Sequence, residues 1–253
     1  PKNPHIQLAR NLLEQSKARR KHNSFAAEGA RVLEDGLASA APLQFILYKS
    51  SLTPRAKSVL GQTKPEQLAF EVEDHLFESL SDTEASQGIL GVFSVPEIHQ
   101  PAKPGFVLIL DQLRDPGNLG TILRSAEAAG VQAVCLPPGT TDVWAPKVVR
   151  SGMGAHFRLP LLQWPWEAIS AYVEELAVFH ADMEGQESLW QADFRGRTAL
   201  LIGGEAEGIS PEGQQLATHS VRIPMTGKTE SLNAAVSASV LMFEVLRQRS
   251  QKV

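Results

Sequence analysis

Cysteine is nearly absent from this chain. Cys135 is the only one in 253 residues, so no internal disulfide can form, and a lone thiol suits a reducing, cytoplasmic setting. It closes the apolar stretch that begins at Val131, which reads as a buried structural thiol and not as a nucleophile. No uninterrupted apolar run approaches the length of a membrane span, so no membrane partner is expected. No charged-then-apolar leader precedes a cleavage site; the first residue is Pro1 and not Met, so a segment ahead of it is left open. The seven histidines (5, 22, 75, 99, 156, 180 and 219) are scattered without ligand spacing. With a single cysteine beside them, zinc and other metals are not expected. No G-x-G-x-x-G follows the strand expected at 106–110, which leaves a dinucleotide fold unsupported. Gly227-Lys228-Thr229 looks like the end of a phosphate loop, but the glycine required five positions earlier is Arg222.

What is present describes an ordinary globular protein, with 43% hydrophobic and 21% charged residues. The length allows one or two domains with a proper core. A net charge of −4 conceals an asymmetry. Residues 1–22 hold six basic groups (Lys2, Arg10, Lys17, Arg19, Arg20, Lys21) against one acid, Glu14, so the rest of the chain is strongly acidic. A basic front end suits phosphate contact, and equally a solvated helix face.

Two halves are apparent. The first opens with an amphipathic helix over 4–20, with Ile6, Ala9, Leu12 and Leu13 as its apolar side. A helix over 29–38, strands over 43–48, 68–72 and 88–95, and a helix near 75–80 follow. Residues 96–105 hold three prolines and a glycine, which cannot continue a helix or a central strand, and read as a linker. The second half alternates. Strands are expected at 106–110, 132–136, 178–181, 198–202 and 220–223, with helices at 116–129, 145–151, 166–176 and 232–248. Apolar strands alternating with helices argue for a parallel sheet covered on both faces.

Three segments carry chemistry. In Asp115-Pro-Gly-Asn-Leu-Gly-Thr-Ile-Leu-Arg124, Asp115 reads as an N-cap and Pro116 as the first helical residue. Gly120 and Arg124 are four apart, so the guanidinium would lean back over the space the glycine leaves. That suits an anionic or alkoxide group near the helix start, although an exposed arginine above an incidental glycine fits as well. Residues 198–208 read as a buried strand ending in a glycine-rich loop, which sets Glu205 just beyond the strand end, where ligands of open α/β sheets bind. Ile223-Pro-Met-Thr-Gly-Lys-Thr-Glu-Ser-Leu-Asn233 leads into the last helix. Capping explains one of Ser231 and Asn233; two polar groups there, beside a glycine loop, suggest a ligand.

Together the three segments resemble the SpoU family (SPOUT class, TrmH-like) of RNA 2′-O-ribose methyltransferases. The matches are Asn118, Gly120 and Arg124; then Gly203, Glu205 and Gly208; then Ile223-Pro224-Met225, Gly227 and Ser231-Leu232-Asn233. The first half is similar to the family's substrate-binding domain through Phe25-Ala-Ala-Glu-Gly-Ala-Arg31, Leu80-Ser-Asp-Thr83 and Gln87-Gly-Ile-Leu-Gly91. The resemblance implies an α/β protein with an L30e-like RNA-binding domain over 1–95, a linker over 96–105, and a trefoil-knot methyltransferase domain over 106–253. It implies S-adenosylmethionine as cofactor, held by Gly203, Gly204, Glu205, Gly208, Ile223, Pro224, Met225, Ser231, Leu232 and Asn233. It implies methyl transfer to a ribose 2′-hydroxyl, with Arg124, Glu205, Asn118, Ser231 and Asn233 at the reaction. It also implies a homodimer through the C-terminal domain and an RNA partner. Ribosomal RNA is favoured over transfer RNA, with Arg19, Arg20, Lys21 and Arg31 as RNA contacts. One departure stands out: similar proteins usually carry Asn before the glutamate, and here that position is Gly204. A non-catalytic RNA-binding protein that keeps the fold is therefore the competing reading, with a nucleotide hydrolase third.

Overall fold

The computed structural model describes residues 3–64, 67–81, 86–205, 208–227 and 231–251. The first half runs α1 (Pro4–Glu14), α2 (Ser16–His22), β1 (Ser24–Glu28), α3 (Ala30–Ala38), β2 (Leu43–Lys49), α4 (Pro54–Leu60), β3 (Leu68–Val72), α5 (Asp74–Glu78) and β4 (Ile89–Ser94). The second runs β5 (Phe106–Leu110), α6 (Pro116–Ala128), β6 (Ala133–Cys135), α7 (Pro146–Gly152), β7 (Leu161–Leu162), α8 (Trp166–Val173), β8 (Ala177–Ala181), β9 (Glu187–Ser188), β10 (Thr198–Ile202), α9 (Pro211–Leu216), β11 (His219–Arg222) and α10 (Ala234–Ser250). Of the resemblance motifs, Asp82 and Thr83 lie outside the described residues, as does Lys228-Thr229 of the rejected phosphate loop.

The chain forms two compact units, Pro1–Glu97 with Asp142–Arg158, and Ile98–Thr141 with Leu159–Val253. The sequence division misses one excursion: residues 142–158, expected in the second half, pack with the first. Aromatic packing holds them there, with Trp144 4.7 Å from Phe25 and Phe157 5.1 Å from Phe93 between ring centroids. An unbroken sequence pattern carries no record of which core a helix joins.

In the first unit the sheet order is β1-β4-β2-β3, with β4 antiparallel to both β1 and β2, and β2 parallel to β3. β1 was invisible to the period-two criterion because its first four residues are all buried; a strand covered on both faces shows no alternation. In the second unit seven parallel strands lie in the order β7-β6-β5-β10-β8-β11-β9. The late strand β10 thus sits between the earlier β5 and β8, and every one of its residues is buried. One face packs Val107, Ile109, Ala199 and Leu201 on Ile169 and Val173 of α8. On α6 and α10, which pack together, Leu119, Ile122, Leu123, Leu241, Met242 and Val245 are all buried. Cys135 is buried in this core, and desolvation pushes its thiol up to about 12, so it is no nucleophile. Among the described residues no helix is long and apolar enough to cross a membrane.

The single helix expected over 4–20 is two helices broken at Gln15, whose backbone is extended. The break has a partner. The Arg19 guanidinium donates to the Leu12 and Leu13 carbonyls at 2.6 and 3.3 Å, groups that the end of α1 leaves without helical partners. It also pairs with Asp142 at 2.7 Å. Arg19 is 6% exposed, which corrects its assignment as an RNA contact: the charge is spent inside the protein. Arg20 and Lys21 are exposed, and so is Arg31, which stands 3.8 Å from Asp35.

Removing one member of a buried pair leaves the other charge uncompensated. Arg19→Ala is therefore expected to cost roughly 3 kcal/mol in urea unfolding, while Arg20→Ala should stay within about 0.5 kcal/mol. Equal effects would return Arg19 to the surface.

Candidate active site

Asp115 caps α6 by accepting from the Asn118 amide at 2.7 Å. This leaves the Asn118 side chain at the first turn, pointing away from the buried stripe. Its Nδ2 donates to Glu205 Oε1 at 2.6 Å, and its Oδ1 accepts from Asn233 Nδ2 at 3.0 Å. Asn233 Nδ2 also donates to Glu205 Oε1 at 3.1 Å, and the Ala234 amide approaches the same oxygen at 3.4 Å. Three segments widely separated in the chain thus meet on one carboxylate oxygen. That oxygen lies against the start of α10, where the helix dipole favours an anion. Oε2 has no hydrogen bond to another described residue.

Asn233 is the α10 cap, its Oδ1 accepting from Ala235 and Val236 amides at 2.9 and 3.3 Å. Ser231 makes no cap; it lines a cleft instead. Of the two polar groups the sequence set at this helix start, one is structural and the other faces open space.

The cleft has a volume of about 470 Å³ and lies beyond the carboxyl ends of β8, β10 and β11. That volume falls within the roughly 300–1,000 Å³ of small-molecule sites. Of the expected cofactor residues, Gly203, Gly204, Glu205, Gly208, Ile223, Met225, Ser231 and Leu232 line it. Pro224 and Asn233 do not, Asn233 reaching it only through Glu205. Its walls are largely apolar, its lining includes Glu205 and Asp182, and among the described residues no lysine or arginine lines it. An acidic, partly apolar cleft suits a cation and opposes a polyphosphate, which removes the support for a nucleotide hydrolase.

The glycine loop is built by close backbone approach. Gly204 and Gly208 exchange amide hydrogen bonds at 2.9 and 3.0 Å, and Gly208 has φ +67°. A Cβ at Gly203 would stand 2.6 Å from the Gly208 carbonyl oxygen, so no side chain fits there.

The profile of the SpoU rRNA Methylase family matches residues 105–243, and that of an MRM3-like substrate binding domain matches residues 3–91. The chain belongs to the SpoU rRNA methylase family. It is 30% identical to the Bacillus subtilis 23S rRNA (guanosine(2553)-2′-O)-methyltransferase RlmP, over 92% of each chain. It is 32% identical to human mitochondrial rRNA methyltransferase 3, over 91% of this chain and 69% of that protein. The crystal structure of the SpoU methyltransferase AviRb from Streptomyces viridochromogenes, in complex with AdoMet, superposes with a TM-score of 0.90 at 28% identity and covers both chains fully.

Within this SpoU chain Arg124 stands apart. It is exposed, it does not line the cleft, and its side chain has no hydrogen bond or ion pair to another described residue. Gly120 is buried beside Leu119 and Leu123, which corrects the expectation of an open space above it for the guanidinium to lean over. Four residues turn a helix by about 40° beyond a full circle, enough here to carry position 124 across the edge of the covered side. Asn118 and Arg124 are about 9 Å apart along the axis and on different faces.

Ten lining residues escaped the sequence reading, among them His180, Asp182 and Met183 at the end of β8, and Gln214 on α9. Ligands of open α/β sheets bind beyond strand ends, and the end of the expected strand at 178–181 is the signal that points to the first three. α9 was missed because it is six residues long, although Ser210-Pro211 carries its cap signal.

Gly204, the departure from the family pattern, has a local cause. A Cβ there would overlap the carbonyl oxygen of Gln112. Gln112 holds φ +56°, and its side chain lies against Gly139, itself at φ +100°. The backbone of residue 112 occupies the room that a side chain at position 204 would need. Gly204→Ala is therefore expected to cost roughly 2 kcal/mol in urea unfolding by overpacking. Gly196→Ala, with nothing within 4 Å of the added carbon, should change little. A neutral Gly204→Ala would show that residue 112 yields freely.

Proposed function

We propose that this chain transfers the methyl group of S-adenosylmethionine to a ribose 2′-hydroxyl of ribosomal RNA. The single observation that carries the reading is the convergence of Asn118, Glu205 and Asn233 on one oxygen at the rim of an acidic cleft. When bound, S-adenosylmethionine supplies an electrophilic methyl group on a positively charged sulfur. The glycine loop takes it against bare backbone, and Glu205 and Asp182 give the cleft the sign a sulfonium prefers. Asn118 and Asn233 clamp the Glu205 carboxylate, so its second oxygen presents a fixed acceptor to cofactor or ribose. Positioning of this kind supplies much of the rate of a methyl transfer. Ser231 adds a hydroxyl at the same rim.

Arg124 keeps its proton, as arginine does in proteins, and serves to hold an RNA phosphate and stabilise the developing alkoxide. Its distance from the cleft is met by pairing of two copies. α10 exposes Val236, Phe243 and Leu246 along one side, an apolar stripe suited to a homodimer contact beside α6, which carries Arg124. The first unit is an L30e-like RNA-docking domain, with Lys17, Arg20 and Lys21 exposed along α2 and Arg31 near the start of α3. A reducing, cytoplasmic setting fits the one buried thiol.

Labelled methyl transfer to ribosomal RNA lacking the modification tests the reading, with the modified ribose mapped by its resistance to alkaline cleavage. Label on transfer RNA alone would redirect the substrate, and binding of both ligands without transfer would favour the non-catalytic reading. Arg124→Ala should abolish transfer and leave cofactor affinity largely intact. Co-expressed with Glu205→Ala, it should regain on the order of a quarter of the activity, because a mixed dimer holds one intact site; no recovery would mean that arginine and glutamate act within one copy. Replacing Lys17, Arg20 and Lys21 by Ala should weaken RNA binding and lower its salt slope by roughly two. An unchanged slope would make that helix face merely solvated.

A further inference from the structure

The motifs account for one part of the cleft, where Glu205 meets the start of α10. They leave unexplained the part beside α9, lined by His180 and Gln214. His180 is in register with Leu201 of β10, so its side chain lies on the same sheet face as the Ile109, Leu201 and Ile209 core. The imidazole is half-buried. Neither it nor the Gln214 side chain has a hydrogen bond to another described residue, and around them the lining is Ala181, Ile202, Ile209 and Val221. For the half-buried imidazole, a missing partner is a cost that a ligand would remove; Gln214 is exposed beside the same part of the cleft.

We propose that His180 reads the adenine end of the cofactor through a hydrogen bond made by its neutral imidazole, with Gln214 as a second polar contact. The inference rests on the cofactor placement argued under Proposed function. A flat ring with apolar faces and a rim of donors and acceptors matches apolar walls that hold one imidazole and one amide. The methionine end, with its ammonium, is better served by the Glu205 carboxylate in the other part of the cleft.

The charge state of the imidazole follows from its surroundings. Burial lowers its pKa below the ordinary imidazole value, and the charges of Asp182 and Asp111 oppose this without overcoming it. The other elements beside it contribute Leu201 from β10, Ser220 from β11 and Gln214 from α9, none of them charged. A neutral ring can both donate and accept; a protonated one loses its acceptor and repels a sulfonium. Binding therefore favours the neutral form. Cofactor affinity should be level above the imidazole pKa of the free protein and fall as pH drops through and below it.

Calorimetry on the full chain tests this with three probes: S-adenosylmethionine, S-adenosylhomocysteine and methylthioadenosine, the last lacking the amino-acid end. His180→Ala should weaken all three by roughly three- to tenfold. His180→Gln should recover part of the loss and bind with the same affinity from pH 8 to pH 5, while the unmodified chain weakens in acid. An unchanged affinity in His180→Ala, a loss that spares methylthioadenosine, or a flat pH profile for the unmodified chain would each overturn the assignment. The pH profile stands even if a substitution disturbs folding. If the unmodified chain bound none of the probes at pH 8, the cofactor placement itself would fail, which is a separate outcome from a silent His180.

Discussion

One carboxylate oxygen organises the second unit. Glu205 Oε1 accepts from Asn118, Asn233 and the Ala234 amide, and so ties the first turn of α6, the loop after β10 and the first turn of α10 to one point. Each of those segments is already capped or hydrogen-bonded within itself. The carboxylate adds the constraint that they share a common origin, and the cleft is the space left around it. A hydrogen bond to an ionised group is stronger than a neutral one, and its location at a helix start strengthens it further.

Backbone contacts too close for side chains complete the frame. Gly203 is pressed against Gly208, and Gly204 against Gln112. Asp111, fully buried at the end of β5, accepts from the Ser210 amide at 2.6 Å and so fixes the far end of the same loop. Its other oxygen has no hydrogen-bond partner among the described residues, the kind of local cost that persists where a loop must be held in one place. The glycine that departs from the family pattern belongs to this frame and answers the left-handed residue opposite it. Gly204 therefore gives no support to a non-catalytic reading by itself: the Asn118, Glu205 and Asn233 cluster forms without a side chain at that position.

Most of the fold was legible because it rests on local signals. β5, β8 and β10 are largely apolar runs at strand length, and α6 and α10 announce themselves through Asp115-Pro116 and Asn233. The segments that were missed lack those signals or are too short to display them. β1 is buried on both faces, α4 and α9 span barely two turns, and the break at Gln15 depends on an arginine that reaches back to carbonyls several residues away. The assignment of residues 142–158 to the first unit depends on Phe25 and Phe93, which no local pattern around α7 could indicate.

The amino-acid sequence by itself determined most of the element types, a division into two parts and, through three spaced motifs, the family. Those follow from periodicity, capping chemistry and motif spacing, all properties of short stretches of chain. Only the tertiary structure decided that Arg19 is internal while Arg20 is exposed, that Ser231 faces the cleft while Asn233 caps, that Arg124 stands away from it, and that His180 and Gln214 line it. The physical reason is the same in each case: burial and partnership depend on what a distant strand or helix places beside a residue, and spacing along the chain carries no information about that distance.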